Sequence, residues 1–354
     1  MLAAVGFAFD IETVSEALGV RAQAVEVIGR AQASTAEVVQ LRVRGADGQV
    51  CTVFAKYAVG EGLPAAEREL RFYRTLAPRW SCPAPRLLGW ARVDGEPQTV
   101  RRGGVAPEAA ERPPRVVEPA GLLLITEDLT ADGYRLGSEL GADELAQVVE
   151  MLVAFQAAFW NDVQGALPFG RSVTQSPQAW PPEVIALHAT ELRVRALSFG
   201  DAGDRALLAD VLPRWERQLA GRVATGHGLT LSHGDFHLLG NVLFAAGRPP
   251  RVIDWSEVKP ALPTHDLAYC LHVPPSPDRL ARDRALLRRY WEHLTAAGIT
   301  DYPWPLCEWD YQLSLITCLF QAVLQDSVHW FRKTAALVDL HDARAVLDRP
   351  PPLP

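Results

Sequence analysis

The sequence predicts an α+β fold in two lobes, a small β-rich amino-terminal lobe and a larger, mainly helical carboxy-terminal lobe. Three observations carry that expectation. Two β-like runs, 38–44 and 50–59, flank Gly45-Ala46-Asp47-Gly48, a good hairpin turn. A short continuous apolar run from Gly121 to Ile125 reads as a buried strand and ends abruptly at Thr126-Glu127-Asp128-Leu129. Beyond it, apolar residues recur at helical spacing in blocks at 143–160, 203–220, 278–297 and 306–348.

Taken in order, the chain opens with a short helix over 10–18, where Ile11, Val14 and Leu18 share a face, Asp10 caps and Gly19 stops. The hairpin follows. Residues 64–76 turn helical and charged, with Leu70, Tyr73 and Leu76 available to pack beneath. The stretch 93–120, rich in Pro, Gly, Arg and Glu and without periodicity, reads as an inserted surface loop. The hinge falls after Ile125. The expected layout is therefore residues 1–128 as the amino-terminal lobe, 129–349 as the helical lobe, and a Pro-rich tail at 350–354. No internal repeat at solenoid spacing interrupts it.

A chain of 354 residues can bury the cores of two lobes, and 48% hydrophobic with 22% charged residues is an ordinary globular composition. The formal charge of −7 offers no general attraction to phosphate backbones, so nucleic acid is not an expected partner. The apolar runs fall far short of the roughly 20 residues a membrane span needs. Met1 to Phe9 is apolar but lacks a basic leader and is soon followed by Asp10 and Glu12, which argues against a signal peptide. Cys51, Cys82, Cys270, Cys307 and Cys318 are odd in number and scattered without zinc spacing. Reduced core thiols of this kind point to the cytoplasm.

The chemistry concentrates in Leu231-Ser-His-Gly-Asp-Phe-His-Leu-Leu-Gly-Asn-Val-Leu-Phe244 and Arg251-Val-Ile-Asp-Trp255. A carboxylate, Asp235, precedes a carboxamide, Asn241, and a second carboxylate, Asp254, follows the apolar pair Val252-Ile253. Phosphoryl transfer needs such a set: one carboxylate near the acceptor hydroxyl and two oxygen ligands for magnesium. With Asp266-Leu-Ala268 downstream, and Lys56, Glu69 and Glu127-Asp128-Leu129 in order upstream, the sequence resembles the aminoglycoside phosphotransferase and ecdysteroid-kinase-like group of the protein-kinase-like superfamily. The match spans most of the chain.

The resemblance implies a two-lobed protein-kinase-like fold and an ATP- and Mg2+-dependent kinase acting on a small-molecule alcohol. By it, Asp235 orients the hydroxyl and accepts its proton, Asp254 and Asn241 hold magnesium, and Lys56, paired with Glu69, holds the α- and β-phosphates. Glu127 and Leu129 would meet adenine through backbone groups. Thr52, Phe54 and Lys56 share a strand face, which lets Lys56 enter a cleft, although a solvated edge lysine and Glu67 as the partner remain open. Two departures stand out. Asn241 lies six positions after Asp235 where the family has five, which suggests a bulge at Gly240 with positive φ, and Ala33-Ser34-Thr35-Ala36 replaces the usual glycines of the phosphate loop. Asp266 is expected to cap a helix.

Two other readings compete. His233, Asp235 and His237 form a His-x-Asp-x-His pattern that could ligate metals for hydrolysis, and the altered spacings would also suit a nucleotide-binding pseudokinase or scaffold. For the acceptor, Phe159 to Ser198 and the helix around Trp309 to Phe320 are the expected walls. Trp160, Trp180, Trp255, Trp304, Trp309 and Trp330 could line a pocket or fill the core.

Overall fold

The computed structural model describes residues 9–32, 36–93, 121–137, 140–162, 182–272 and 276–353. The expected insertion at 93–120, almost entirely, together with Ser34, Thr35 and Trp180, lies outside the described residues. The chain divides into two compact units, Met1–Tyr73 with Pro85–Asp132, and Arg74–Ala84 with Gly133–Pro354. Residues 74–84, which the sequence reading puts in the first lobe, group with the second unit.

The first unit is built on a five-stranded antiparallel sheet with helices on both faces. Helix α1, Ile11–Leu18, is capped by Asp10, whose side chain accepts from the Thr13 amide at 2.7 Å, and ends at Gly19 with φ 64°. Strands β1 (Ala22–Gln32), β2 (Glu37–Gly45), β3 (Val50–Val59), β4 (Leu87–Val93) and β5 (Gly121–Glu127) take the order β1-β2-β3-β5-β4. The two-residue alternation sorts the side chains. Val39, Leu41, Val53, Ala55, Leu123 and Ile125 pack with Val14 and Ala17 of α1 on one face. Ala58, Leu122 and Leu124 pack on the other with Ala66 and Leu70 of α2, Leu63–Arg71. Gly89 is needed where α1 presses on β4, because a Cβ there would stand 1.9 Å from the Ala17 carbonyl oxygen. Strand β1 has no counterpart in the sequence reading.

The second unit is mainly helical: α3 (Ala142–Ala158), α4 (Pro182–Ala196), α5 (Ala202–Ala224), α6 (His265–Cys270), α7 (Arg279–Ala296), α8 (Trp304–Leu324) and α9 (Val328–Leu340). Helix α8 is buried along most of its length and forms the core. The block 306–348, expected to be helical, breaks at Asp326, φ 52°, and restarts where the Ser327 hydroxyl accepts from the Trp330 amide. Short strands carry the remaining pieces. Strand β7 (Thr230–Ser232) pairs with β10 (Lys259–Ala261), while β6 (Arg135–Leu136), β8 (Val242–Ala245) and β9 (Arg248–Val252) form a three-stranded sheet. Among the described residues no helix is long and apolar enough to cross a membrane.

Candidate active site

The segment between β7 and β8 holds His233 to Asn241, and a buried carboxylate shapes it. Asp266 accepts from the Ser232 hydroxyl at 2.6 Å, the His233 amide at 2.7 Å and the Gly234 amide at 3.1 Å. Burial raises the Asp266 pKa, against the pull of His233 and these three bonds. Asp266 therefore does not cap its own helix: it lies inside the first turn of α6, and its oxygens serve the loop. Gly234 follows at φ 83°, and a Cβ there would come within 2.5 Å of the Glu257 carbonyl oxygen.

His233 is fully buried, packed 4.8 Å from the Trp255 ring centre. Its Nε2 lies 3.0 Å from the Ile253 carbonyl, while the Asp235 amide donates to its Nδ1 at 3.3 Å, so the Nε2–H tautomer satisfies both. With both ring nitrogens spent on backbone, the His-x-Asp-x-His hydrolase site does not form. Among the described residues no group of three His, Cys, Asp or Glu side chains could hold a metal on its own.

Asp235 points out of this frame with both oxygens held. Tyr269 donates its hydroxyl to Oδ1 at 3.1 Å, and Asn241 Nδ2 donates to Oδ2 at 3.0 Å and to the Asp235 carbonyl at 2.7 Å. Burial raises the carboxyl pKa most, and the negative charge of Asp254 adds to it.

The six-residue interval closes without the expected positive φ at Gly240. The His237 amide donates to the Asp235 carbonyl at 2.8 Å, and the Gly240 and Asn241 amides both donate to the His237 carbonyl, at 3.1 and 2.8 Å. A compact turn absorbs the extra residue, and the left-handed glycine of the segment is Gly234.

Strand register then brings the second carboxylate alongside. Val242 pairs with Val252, and the Ile253 amide donates to the Asn241 carbonyl at 2.9 Å, so Ile253 stands across from Asn241 and Asp254 is the next residue along. Its left-handed backbone, φ 61° and ψ 64°, turns the chain out of β9. Asn241 Oδ1 and the Asp254 carboxylate are hard oxygen donors suited to a small divalent cation, and a cation beside them would relieve the repulsion between Asp254 and Asp235.

In the first unit, Lys56 sits on the α2 face of β3, and its Nζ lies 2.7 Å from Glu69 Oε2 with both side chains largely buried. The open choice of partner resolves to Glu69, since Glu67 instead meets Arg92 at 2.7 Å on the surface. Glu127 is held by Arg86, whose backbone amide and Nε donate to its carboxylate at 3.0 and 2.8 Å, and Leu129 is buried. Asp128 accepts from Gln40 at 2.7 Å and from the Thr130 hydroxyl at 2.6 Å. Burial pushes the Asp128 pKa upward, yet bonds from Thr130, Thr52 and Gln40 bring it below the ordinary value. The side chains at this turn are thus occupied within the unit.

Sequence reasoning passed over Tyr269, although a signal existed: it lies three residues after Asp266, on the same side of α6. The expected acceptor walls fare differently from one another. Residues 163–181 lie outside the described residues, and the Trp309–Phe320 part of α8 is core.

The model of the phosphotransferase enzyme family matches residues 39–304. No characterised protein matches the chain by sequence. Among solved structures, the fold is similar to amicoumacin kinase hAmiN in complex with AMP-PNP, Ca2+ and Ami, at TM-score 0.55 and 12% identity over 97% of this chain and 93% of that one. It is similar to the microcompartment-associated aminopropanol kinase at TM-score 0.54 and 14% identity, covering 91% and 94%. Macrolide 2'-phosphotransferase MphH from Brachybacterium faecium gives TM-score 0.50 and 16% identity over 94% of each chain. With the family match running through most of its length and including Lys56, Asp235, Asn241 and Asp254, the chain belongs to the phosphotransferase enzyme family.

Proposed function

We propose that the protein transfers the terminal phosphoryl group of ATP to a hydroxyl of a small molecule, with Asp235 as the residue that orients the hydroxyl and takes its proton. One observation carries this reading: Asp235 is fixed through both oxygens beside Asn241 and Asp254, the oxygen set that phosphoryl transfer needs. A carboxylate held by two neutral donors keeps a lone pair for the acceptor hydroxyl and cannot rotate away from it. As the oxygen attacks phosphorus, its proton passes to Asp235.

Asp254 and Asn241 are the residues that would hold magnesium, which when bound neutralises charge on the phosphate oxygens. Lys56 adds positive charge toward the α- and β-phosphates, and Glu69 keeps its ammonium in place. In this reading the first unit serves the nucleotide, and the second carries the catalytic residues and the acceptor. The amicoumacin kinase captured with AMP-PNP and Ca2+ supports the pairing of nucleotide and divalent cation. Five free cysteines and dependence on ATP favour the cytoplasm.

The test compares Asp235→Asn with Asp254→Asn. The first keeps size but removes the proton acceptor, so turnover falls by roughly two or more powers of ten while Mg-ATP still raises the melting temperature. The second loses both turnover and metal-dependent nucleotide binding. Wild type that binds Mg-ATP yet shows neither alcohol phosphorylation nor ATP hydrolysis would make the chain a nucleotide-binding pseudokinase.

A further inference from the structure

The face of the loop beside Asp235 continues onto α9 through a row of rings. Tyr269, bonded to Asp235, lies 6.2 Å from the His237 ring centre, and His237 lies 6.0 Å from Trp330. Lys333 closes the row with its ammonium 4.8 Å from the Trp330 ring centre. All these residues belong to the second unit. His237, Trp330 and Lys333 are partly exposed, so the row meets solvent, whereas Trp255 and Trp309 are buried.

Among the described residues, Lys333 is a cation with no carboxylate beside it. Its neighbours are paired: Arg279 and Arg282 with Asp283, and Arg332 with Asp201 and Asp204. Lys333 has no carboxylate partner among the described residues. His237, and His272 packed beside Tyr269 and Trp330, add no charge at neutral pH: burial lowers the pKa of His272 to about 4, and burial, with Lys333 and against the pull of Asp235, lowers that of His237. The Trp330 ring that a cationic substrate would seek is already covered by Lys333.

We infer that this row is the acceptor subsite and that it takes an alcohol bearing an anionic group, a carboxylate or a phosphate, with the anion at Lys333, the body of the molecule against Trp330 and His237, and the hydroxyl at Asp235. The inference rests on the phosphotransferase reading. An ammonium with no carboxylate partner among the described residues, beside an aromatic wall, attracts an anion and repels an aminoalcohol, and the attraction strengthens as the ligand excludes water.

The test uses three chain-matched alcohols, 6-hydroxyhexanoate, 1,6-hexanediol and 6-amino-1-hexanol, with ADP release measured for wild type, Lys333→Met, Lys333→Arg and, as a charge control, the exposed Arg217→Met. Wild type prefers the hydroxy acid by on the order of tenfold in kcat/KM, a charge-assisted contact's worth. Lys333→Met abolishes that preference through KM, Lys333→Arg keeps it, Arg217→Met leaves it intact, and the KM for ATP does not move. Preference for the aminoalcohol, or an unchanged preference in Lys333→Met, overturns the inference and leaves the phosphotransferase reading standing. A loss confined to the KM for ATP also overturns it, by placing Lys333 on the nucleotide.

If none of the three is turned over, calorimetry with Mg-AMP-PNP present decides. Binding of 6-hydroxyhexanoate to wild type that is lost in Lys333→Met supports the subsite, and no binding to wild type overturns it. Failure of the phosphotransferase reading is a separate outcome, seen as absence of Mg-ATP binding itself. Circular dichroism and melting curves check that each variant is folded.

Discussion

At the scale of single residues, the contact that most constrains the chemistry is the Tyr269 hydroxyl on Asp235 Oδ1 at 3.1 Å. Burial, and then the charge of Asp235, raise the phenol's pKa well above its ordinary value, so it remains a donor at neutral pH. Tyr269→Phe keeps the ring beside His237 and removes only the hydrogen bond. A bond to a charged acceptor is worth about 1.5–3 kcal/mol, so kcat is expected to fall by roughly tenfold or more while the KM for ATP stays constant. A rise in both KM values with kcat unchanged would make the contact merely structural. Asp235, Asn241 and Asp254 were legible in the sequence because each lies in a short local motif. Tyr269 and the triple role of Asp266 were not, because their partners sit more than thirty residues upstream and meet them only when α6 docks. Glu69 over Glu67 needed only the helical phase: Ala66, Glu69 and Leu70 are the buried positions of α2.

Between elements, a fully buried ion pair in the second unit joins α5 to α8. Arg222 and Asp310, both wholly inaccessible, meet through two bonds of 2.9 Å. Tyr302 donates to the same carboxylate at 2.9 Å, and Arg222 also serves the His227 and Gly228 carbonyls that end α5. Every donor of this group has a use, which is what makes a buried pair tolerable. Arg222→Met strands the carboxylate, and a loss of about 3–5 kcal/mol is expected from urea unfolding. Pairing it with Asp310→Leu should restore much of that loss, and a double variant no better than Arg222→Met would show that the packing rather than the charge was lost. At this scale the hairpin β2–β3, strand β5 and the helical blocks were legible from period and turn chemistry. Strand β1 escaped because it is an edge strand with exposed residues such as Val27, and so lacks a clean alternation. The break between α8 and α9 escaped because Asp326 supplies the left-handed turn without a glycine to advertise it.

For the whole molecule, acid stability follows from two histidines folded in the neutral form. Burial lowers the pKa of His265 to about 3 and that of His272 to about 4, against an ordinary 6.5. Below 6.5 the unfolded chain binds protons that the folded one refuses, so their contribution to stability is complete above that pH and drains away as pH falls toward 4 and 3. Asp235, Asp266 and Asp310, whose pKa values burial raises, act in the opposite sense, favouring the fold as pH falls toward 3.8. The comparison that isolates the histidines is therefore wild type against His265→Gln/His272→Gln. The melting temperature of wild type should decline more steeply between pH 6.5 and 4.5 by calorimetry, and equal slopes would mean that the rings do not stay neutral. The Asp266 carboxylate also carries a consequence for synthesis. The loop of residues 232–234 takes its shape from a side chain made more than thirty residues later, so a nascent chain that has just exposed Asp235 has not yet fixed the backbone beside it. That frame is complete only once α6, residue 266 and Tyr269 with it, has left the ribosome and docked.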